Sequence, residues 1–319
     1  ALSGTQVGLV LAVMPLVGAL LQPFWGQLAD RTGARRAILG ATTAAAAAGY
    51  LAVGRADGFV PLLAAAALLA AFSSPIVPLL SAVSFGILRD GGAEAFGRVR
   101  VWGTVSYLLL VVAFPWGLHH WQRQHGLVAT PGGPSEPGLG IMFPIVAAFT
   151  LLAAAASLTF PGRGAMALRA RPRDWRGLLR HPPMRRLVAF LLLAYVFLHG
   201  PMVLFPVYVV ARGGSIDTVG QMWVVMILLE IPLIARAGSS IRRLGAAGLL
   251  QLGVLLAGLR WVVCGLSDDL TVIFAAQLVH AVAVAGLGIG APLYLDALVP
   301  ERLRATGQSL LAVAGPGLG

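Results

Sequence analysis

Nine stretches of this 319-residue chain run for about 18 to 30 residues with almost no charge, at roughly 7 to 27, 37 to 54, 59 to 87, 101 to 118, 139 to 160, 187 to 210, 219 to 237, 246 to 266 and 269 to 299. Each is long enough to cross about 30 Å of hydrocarbon as a helix. The runs are continuous and rich in Ala, Leu and Gly, whereas a spanning barrel strand is about ten residues of strict alternation. With 58% hydrophobic and 11% charged residues, the chain has more apolar surface than a core of this length can bury, so lipid has to cover the rest. The expected fold is all-α and polytopic.

Two polar connections between the runs recur in order. Gly26, Asp30, Arg31 and Gly33 close one run, and Gly238, Arg242, Arg243 and Gly245 close another with the same glycine spacing, 212 positions later. Arg98, Arg100 and Gly103 precede a further run, and Arg302, Arg304 and Gly307 match that spacing 204 positions later. A helical unit duplicated in a lipid-soluble chain is the architecture of a transporter. Repeat symmetry implies a parent of twelve spans in two six-helix bundles, with one helix expected before Ala1 and the chain expected to stop inside an eleventh. On that reading 1–160 is the N-terminal bundle (helices 2–6), 161–186 a cytoplasmic linker, and 187–319 the C-terminal bundle (helices 7–10 and the start of 11).

The net charge of +11 raises the question of a nucleic-acid partner. Its distribution answers it. All basic residues are arginine, and 19 of the 23 fall in alternate connections: Arg31, Arg35 and Arg36; Arg89, Arg98 and Arg100; the stretch from Arg163 to Arg186; Arg236, Arg242 and Arg243; Arg302 and Arg304. That asymmetry places the arginine-rich loops in the cytoplasm of a cell membrane and argues against nucleic acid. The single cysteine, Cys264, rules out an intramolecular disulfide and reads as a small buried residue. No cofactor, no metal site and a monomer are expected. The outer loop at 118 to 138, with His119, His120 and His125, reads as a solvated connector, with Trp116 and Trp121 at its boundary and Trp175 on the inner side.

The segment from Gly26 through Asp30, Arg31 and Gly33 to Arg35 and Arg36 strongly resembles the loop signature of the major facilitator superfamily between its second and third helices. Phe96 to Gly103 and Arg302 to Gln308 are similar to the branch of phenylpropionate, nucleoside and lactose proton symporters. The resemblance implies a conformational latch at Gly26, Asp30, Arg31, Gly33, Arg98, Arg100, Gly238, Arg242, Gly245, Arg302 and Arg304, with Asp30 meeting the start of the helix near Arg304. Arg35 and Arg36 are expected to serve topology alone.

Charges inside hydrocarbon cost at least ~2.5 kcal/mol near the bilayer centre, so each calls for a function or a partner. Glu230, Arg260 and His280 are the candidates for solute or proton coupling. Their helices match the eighth, ninth and tenth of the family, where lactose-type symporters place an arginine and a histidine on the last two. The depths counted from sequence differ, and contact among the three is not required. Each also has a plainer reading: Arg260 snorkels, His280 hydrogen-bonds across helices, Glu230 satisfies backbone groups before Pro232. Two departures matter. Ala283 stands where the lactose-type family has a glutamate, and Ser81 follows Pro75 and Pro78 where related permeases have an aspartate. The prolines are expected to bend their helix. Asp296 reads as an interfacial partner of Arg302 and Arg304. Tyr195, Phe197, Phe205, Tyr208 and Trp223 read as cavity-lining or packing residues.

The expected function is proton-coupled uptake of a small organic solute (aromatic acid, sugar or nucleoside) by alternating access. The alternatives are a drug or metabolite efflux antiporter of the same superfamily and a nontransporting membrane sensor. The efflux reading is weakened because the run from Val101 to Gly117 lacks the antiporter's Gly/Pro signature. The chain has no lysine, hence no phosphate loop ending in one, and no clustered nucleophile, base or metal ligands. An enzyme is not expected.

Overall fold

The computed structural model describes residues 2–88, 92–127, 137–160, 170–171 and 174–318. Arg89, the loop segment 128–136 and the linker residues 161–169 and 172–173 lie outside the described residues.

Helices follow the apolar runs, and their ends follow the local chemistry. α1 (Gly4–Thr32) opens on a capping box in which Ser3 and Gln6 satisfy each other's backbone N–H, and stops at Gly33 in the left-handed region. α2 (Arg35–Arg55) follows at once. α3 (Phe59–Ser73) and α4 (Ile76–Ile87) form one span interrupted at Pro75, as the prolines imply. Then come α5 (Gly92–Gln124), α6 (Met142–Ser157) and the short α7 (Asp174–Arg180).

α8 (Pro182–Ala211) begins with proline in its first turn, where a missing N–H costs nothing. α9 (Ile216–Ala235) is capped by Ser215, and α10 (Ala237–Leu266) turns at Gly245. The next span is broken into α11 (Leu270–Gln277), capped by Asp269, α12 (His280–Ala285), a π-turn at Gly286–Gly290, and α13 (Ala291–Leu298). α14 (Arg304–Ala312) follows a short 3-10 turn. Among the described residues nine helical spans are long and apolar enough to cross a membrane.

Packing divides the chain into two compact units. One comprises 1–83, 112–180 and 300–318, in which α1 lies against α3 and α14, and α2 against α3 and α6. The other comprises 84–111 and 181–299, in which α10 packs on α12 and the π-turn. There Gly253 and Gly286 face each other, and a β-carbon on either would sit 3.0 Å from the other's Cα, so the backbones themselves touch. Packing therefore groups α14 with first-half helices and 84–111 with second-half helices, a different partition from the repeat. Outward surfaces carry Leu11, Leu20, Val60, Phe197 and Leu255, the inside-out pattern of helices solvated by lipid.

Candidate functional site

The first repeated connection ends in a buried carboxylate. Asp30, with no side-chain exposure, accepts hydrogen bonds from Arg35 Nε at 3.0 Å and Nη2 at 2.7 Å. It also accepts from the backbone N–H of Ala305 at 3.2 Å, the N–H of Thr306 at 2.7 Å and the Thr306 hydroxyl at 2.7 Å. Those N–H groups open α14, where a helix has unpaired donors and a positive dipole end, so an anion is stabilised there. Arg35 Nη2 donates onward to the Glu301 carbonyl at 2.7 Å. Gly26 makes the approach possible: a β-carbon there would lie 2.8 Å from the Ala305 carbonyl oxygen and 3.0 Å from Ser309 Cβ, and would meet Ser309 Oγ. Arg302 pairs with Asp174 of α7 at 3.2 Å, and the Ala170 N–H donates to the Asp30 carbonyl at 3.2 Å. Arg31 is exposed and lines a small cleft with Gln27, Arg171 and Trp175. Arg304 is the half-buried first residue of α14.

In the second connection Gly238 is pressed on α5, where a β-carbon would lie 2.8 Å from Glu94 Cβ and 2.9 Å from its Cα. Arg242 Nη1 donates to Glu94 at 3.1 Å, with both side chains more than half exposed. Gly245 ends the connection with a φ of 71°, matching the 70° of Gly33. Arg98 and Arg100 are exposed on α5.

The three ionisable candidates within spans, Glu230, Arg260 and His280, meet. Arg260 is 3% exposed; its Nη1 donates to His280 Nδ1 at 2.7 Å and to Gln277 Oε1 at 3.2 Å. Across the ring, His280 Nε2 lies 3.6 Å from Glu230 Oε1. A guanidinium only donates, so the Nδ1 it touches is an acceptor, and the ring proton is assigned to Nε2, facing Glu230. The result is a buried line of Glu230, neutral imidazole and Arg260. Arg260 also sits 4.1 Å over the Trp261 ring and near the sulfurs of Met202 and Met226. Its Nε and the Trp261 Nε1 are buried donors without a hydrogen-bond partner among the described residues. The break between α11 and α12 falls beside this line: Gln277 ends one piece and His280 starts the other. Gln277, 1% exposed, also donates to the Ile273 carbonyl at 2.9 Å.

Cys264 is buried, as expected, and accepts from Gln277 at 3.4 Å. Phe205, Tyr208 and Trp223 pack in one core cluster, while Phe197 faces outward. His120 and His125 stack on Trp116 and Trp121. Among the described residues no three His, Cys, Asp or Glu gather where a metal could bind.

Nine spans among the described residues, each long and apolar enough to cross a membrane, with duplicated connections and a line of ionisable side chains inside one unit, fit a multi-pass membrane transporter. The model of the MFS_1 like family matches residues 1–319, and the chain belongs to that family: it is a major-facilitator transporter, not an enzyme. It is 28% identical over 324 residues to a maltose permease of Geobacillus stearothermophilus, covering 100% of this chain and 77% of that protein. It is 28% identical over 316 residues to a putative sugar efflux transporter of Deinococcus radiodurans, covering 94% and 76%. Among solved structures, the nucleoside transporter NupG (D323A mutant) superposes with a TM-score of 0.66 at 14% identity, covering 99% of this chain and 80% of that one. A bacterial homologue of the iron transporter ferroportin in an outward-facing state gives 0.67 at 15%, covering 97% and 80%. These likenesses support the fold.

Sequence reasoning found the charged residues and missed their neutral partners. Thr306 and Gln277 carry no charge, and nothing in their spacing announces them. Arg35, expected to serve topology alone, forks between Asp30 and Glu301.

Proposed function

We propose that the protein is a proton-coupled secondary transporter that imports a small polyhydroxylated solute of the sugar class by alternating access. The observation that carries this is the line Glu230–His280–Arg260, closed on itself within one unit. When Glu230 binds a proton, the field on His280 and Arg260 changes, which links proton occupancy to the geometry of Arg260. Arg260 already holds His280 and Gln277, which weighs for a neutral solute over an aromatic acid. The unpartnered Arg260 Nε and Trp261 Nε1 would donate to solute oxygens, and the indole supplies the apolar face a sugar ring stacks on. The relatives named for maltose and sugar weigh the same way.

In this reading the bundles are 1–160 and 187–319, joined by 161–186, with the arginine-rich connections in the cytoplasm and the protein monomeric in the cell membrane. The Asp30 contact with α14 is the latch that holds the arginine-rich side closed, and Gly238, Arg242 and Gly245 with Glu94 are its repeat-related counterpart.

The test is uptake of labelled maltose into proteoliposomes under an inside-alkaline pH gradient. Glu230→Gln is expected to abolish accumulation while maltose exchange persists; undiminished accumulation would remove Glu230 from the coupling. The relative named as a sugar efflux transporter motivates export as a second reading, which the same vesicles separate by reversing the gradient.

A further inference from the structure

Pro75 and Pro78 have no N–H, and in a helix the N–H of residue i serves the carbonyl of residue i−4. The two carbonyls deprived of their donors are therefore those of Ala71 and Ser74. Both are reached from α1. Trp25 Nε1 donates to the Ala71 carbonyl at 2.9 Å, and Gln22 Nε2 donates to the Ser74 carbonyl at 3.3 Å. The prolines, the orphaned carbonyls and the two donors are each three residues apart, and the donors run antiparallel to the acceptors. On either side the helical ladder is intact: the Ser74 N–H meets the Ala70 carbonyl at 3.1 Å and the Leu79 N–H meets the Pro75 carbonyl at 3.0 Å. Gly18 keeps α1 close, since a β-carbon there would lie 3.2 Å from Ser74 Cβ.

We infer that Gln22 and Trp25 are positioning residues that complete a proline-broken span from outside it, making the break between α3 and α4 a hinge held by α1. α1 also carries Asp30, one to two turns further on, so the hinge and the Asp30 contact with α14 move as one body. Loss of either donor leaves a part-buried carbonyl unpaired, loosens α1 and eases the opening of the Asp30 contact. A proline returned to alanine restores the main-chain donor, and the α1 side chain is then no longer needed.

The test is a rescue experiment that uses no solute, so its failure is distinct from failure of the transport reading. In full-length protein with Cys264→Ala, Ser309→Cys is labelled with N-ethylmaleimide to report opening at α14. Trp25→Phe is expected to raise the labelling rate about tenfold. The same change should have little effect in a Pro75→Ala background and its full effect in a Pro78→Ala background. Gln22→Leu should show the reverse pairing. A Trp25→Phe protein that fails to accumulate alone but accumulates with Pro75→Ala is the same rescue. Equal effects in all backgrounds, or a change in thermal midpoint with labelling unmoved, would overturn the inference.

Discussion

The connection from Gly26 to Gly33 and the one from Gly238 to Gly245 share a backbone and differ in their charges. In both, the first glycine lets a helix approach to main-chain distance and the last takes a φ near 70°. At the position of Asp30, however, the second copy has Arg242. Asp30 is sealed from solvent and held by Arg35, two backbone N–H groups and a hydroxyl; Arg242 makes one exposed pair with Glu94. The two connections share the close approach, and the buried charge belongs to the first alone. A buried carboxylate with all its partners in place is costly to break, whereas an exposed ion pair contributes about 0–1 kcal/mol.

The largest effect is expected where the copies differ most. Asp30→Asn sets an amide donor against the N–H of either Ala305 or Thr306, which serve different carboxylate oxygens, and leaves Arg35 without its carboxylate, at a cost of about 3 kcal/mol. Solute exchange in proteoliposomes should slow by at least about tenfold, because such a cost is comparable to the few kcal/mol that separate two conformational states. A rate near that of the unchanged protein would mean that the buried contact is not part of the cycle.

The next effect sharpens what the copies share. Gly26→Ala and Gly238→Ala each drive a methyl into backbone atoms, at roughly 1–3 kcal/mol. Their thermal midpoints should fall by similar amounts, and a large gap between them would show that the shared backbone serves only one connection. Smallest is Arg242→Ala, expected to change exchange by less than about fivefold, and less still at high salt, since its pair is open to water. A loss rivalling that of Asp30→Asn would erase the contrast.

Much of this molecule was legible in advance because hydropathy and glycine spacing are one-dimensional signals. The nine spans among the described residues and the two connections follow from them, whereas the contact of Asp30 with the start of α14 is an expectation carried by the family resemblance. Depth counted along straight helices was less informative: it put Glu230, Arg260 and His280 at different levels, yet a long guanidinium and a span broken at Leu278–Val279 bring them into line. The proline rule names Ala71 and Ser74 as orphaned carbonyls, but only packing reveals that Trp25 and Gln22 answer them. Partners such as Thr306, 276 positions from Asp30, leave no mark in local sequence.

The backbone amides of Ala305 and Thr306 report on the buried connection more directly than any substitution, because they are its hydrogen bonds. Hydrogen exchange across 303–309 in proteoliposomes should be slow at rest and accelerate when a transported solute is supplied, with the segment that bears Glu94 changing less. Protection at 303–309 that stays the same during turnover would contradict the assignment of Asp30 as the contact that opens.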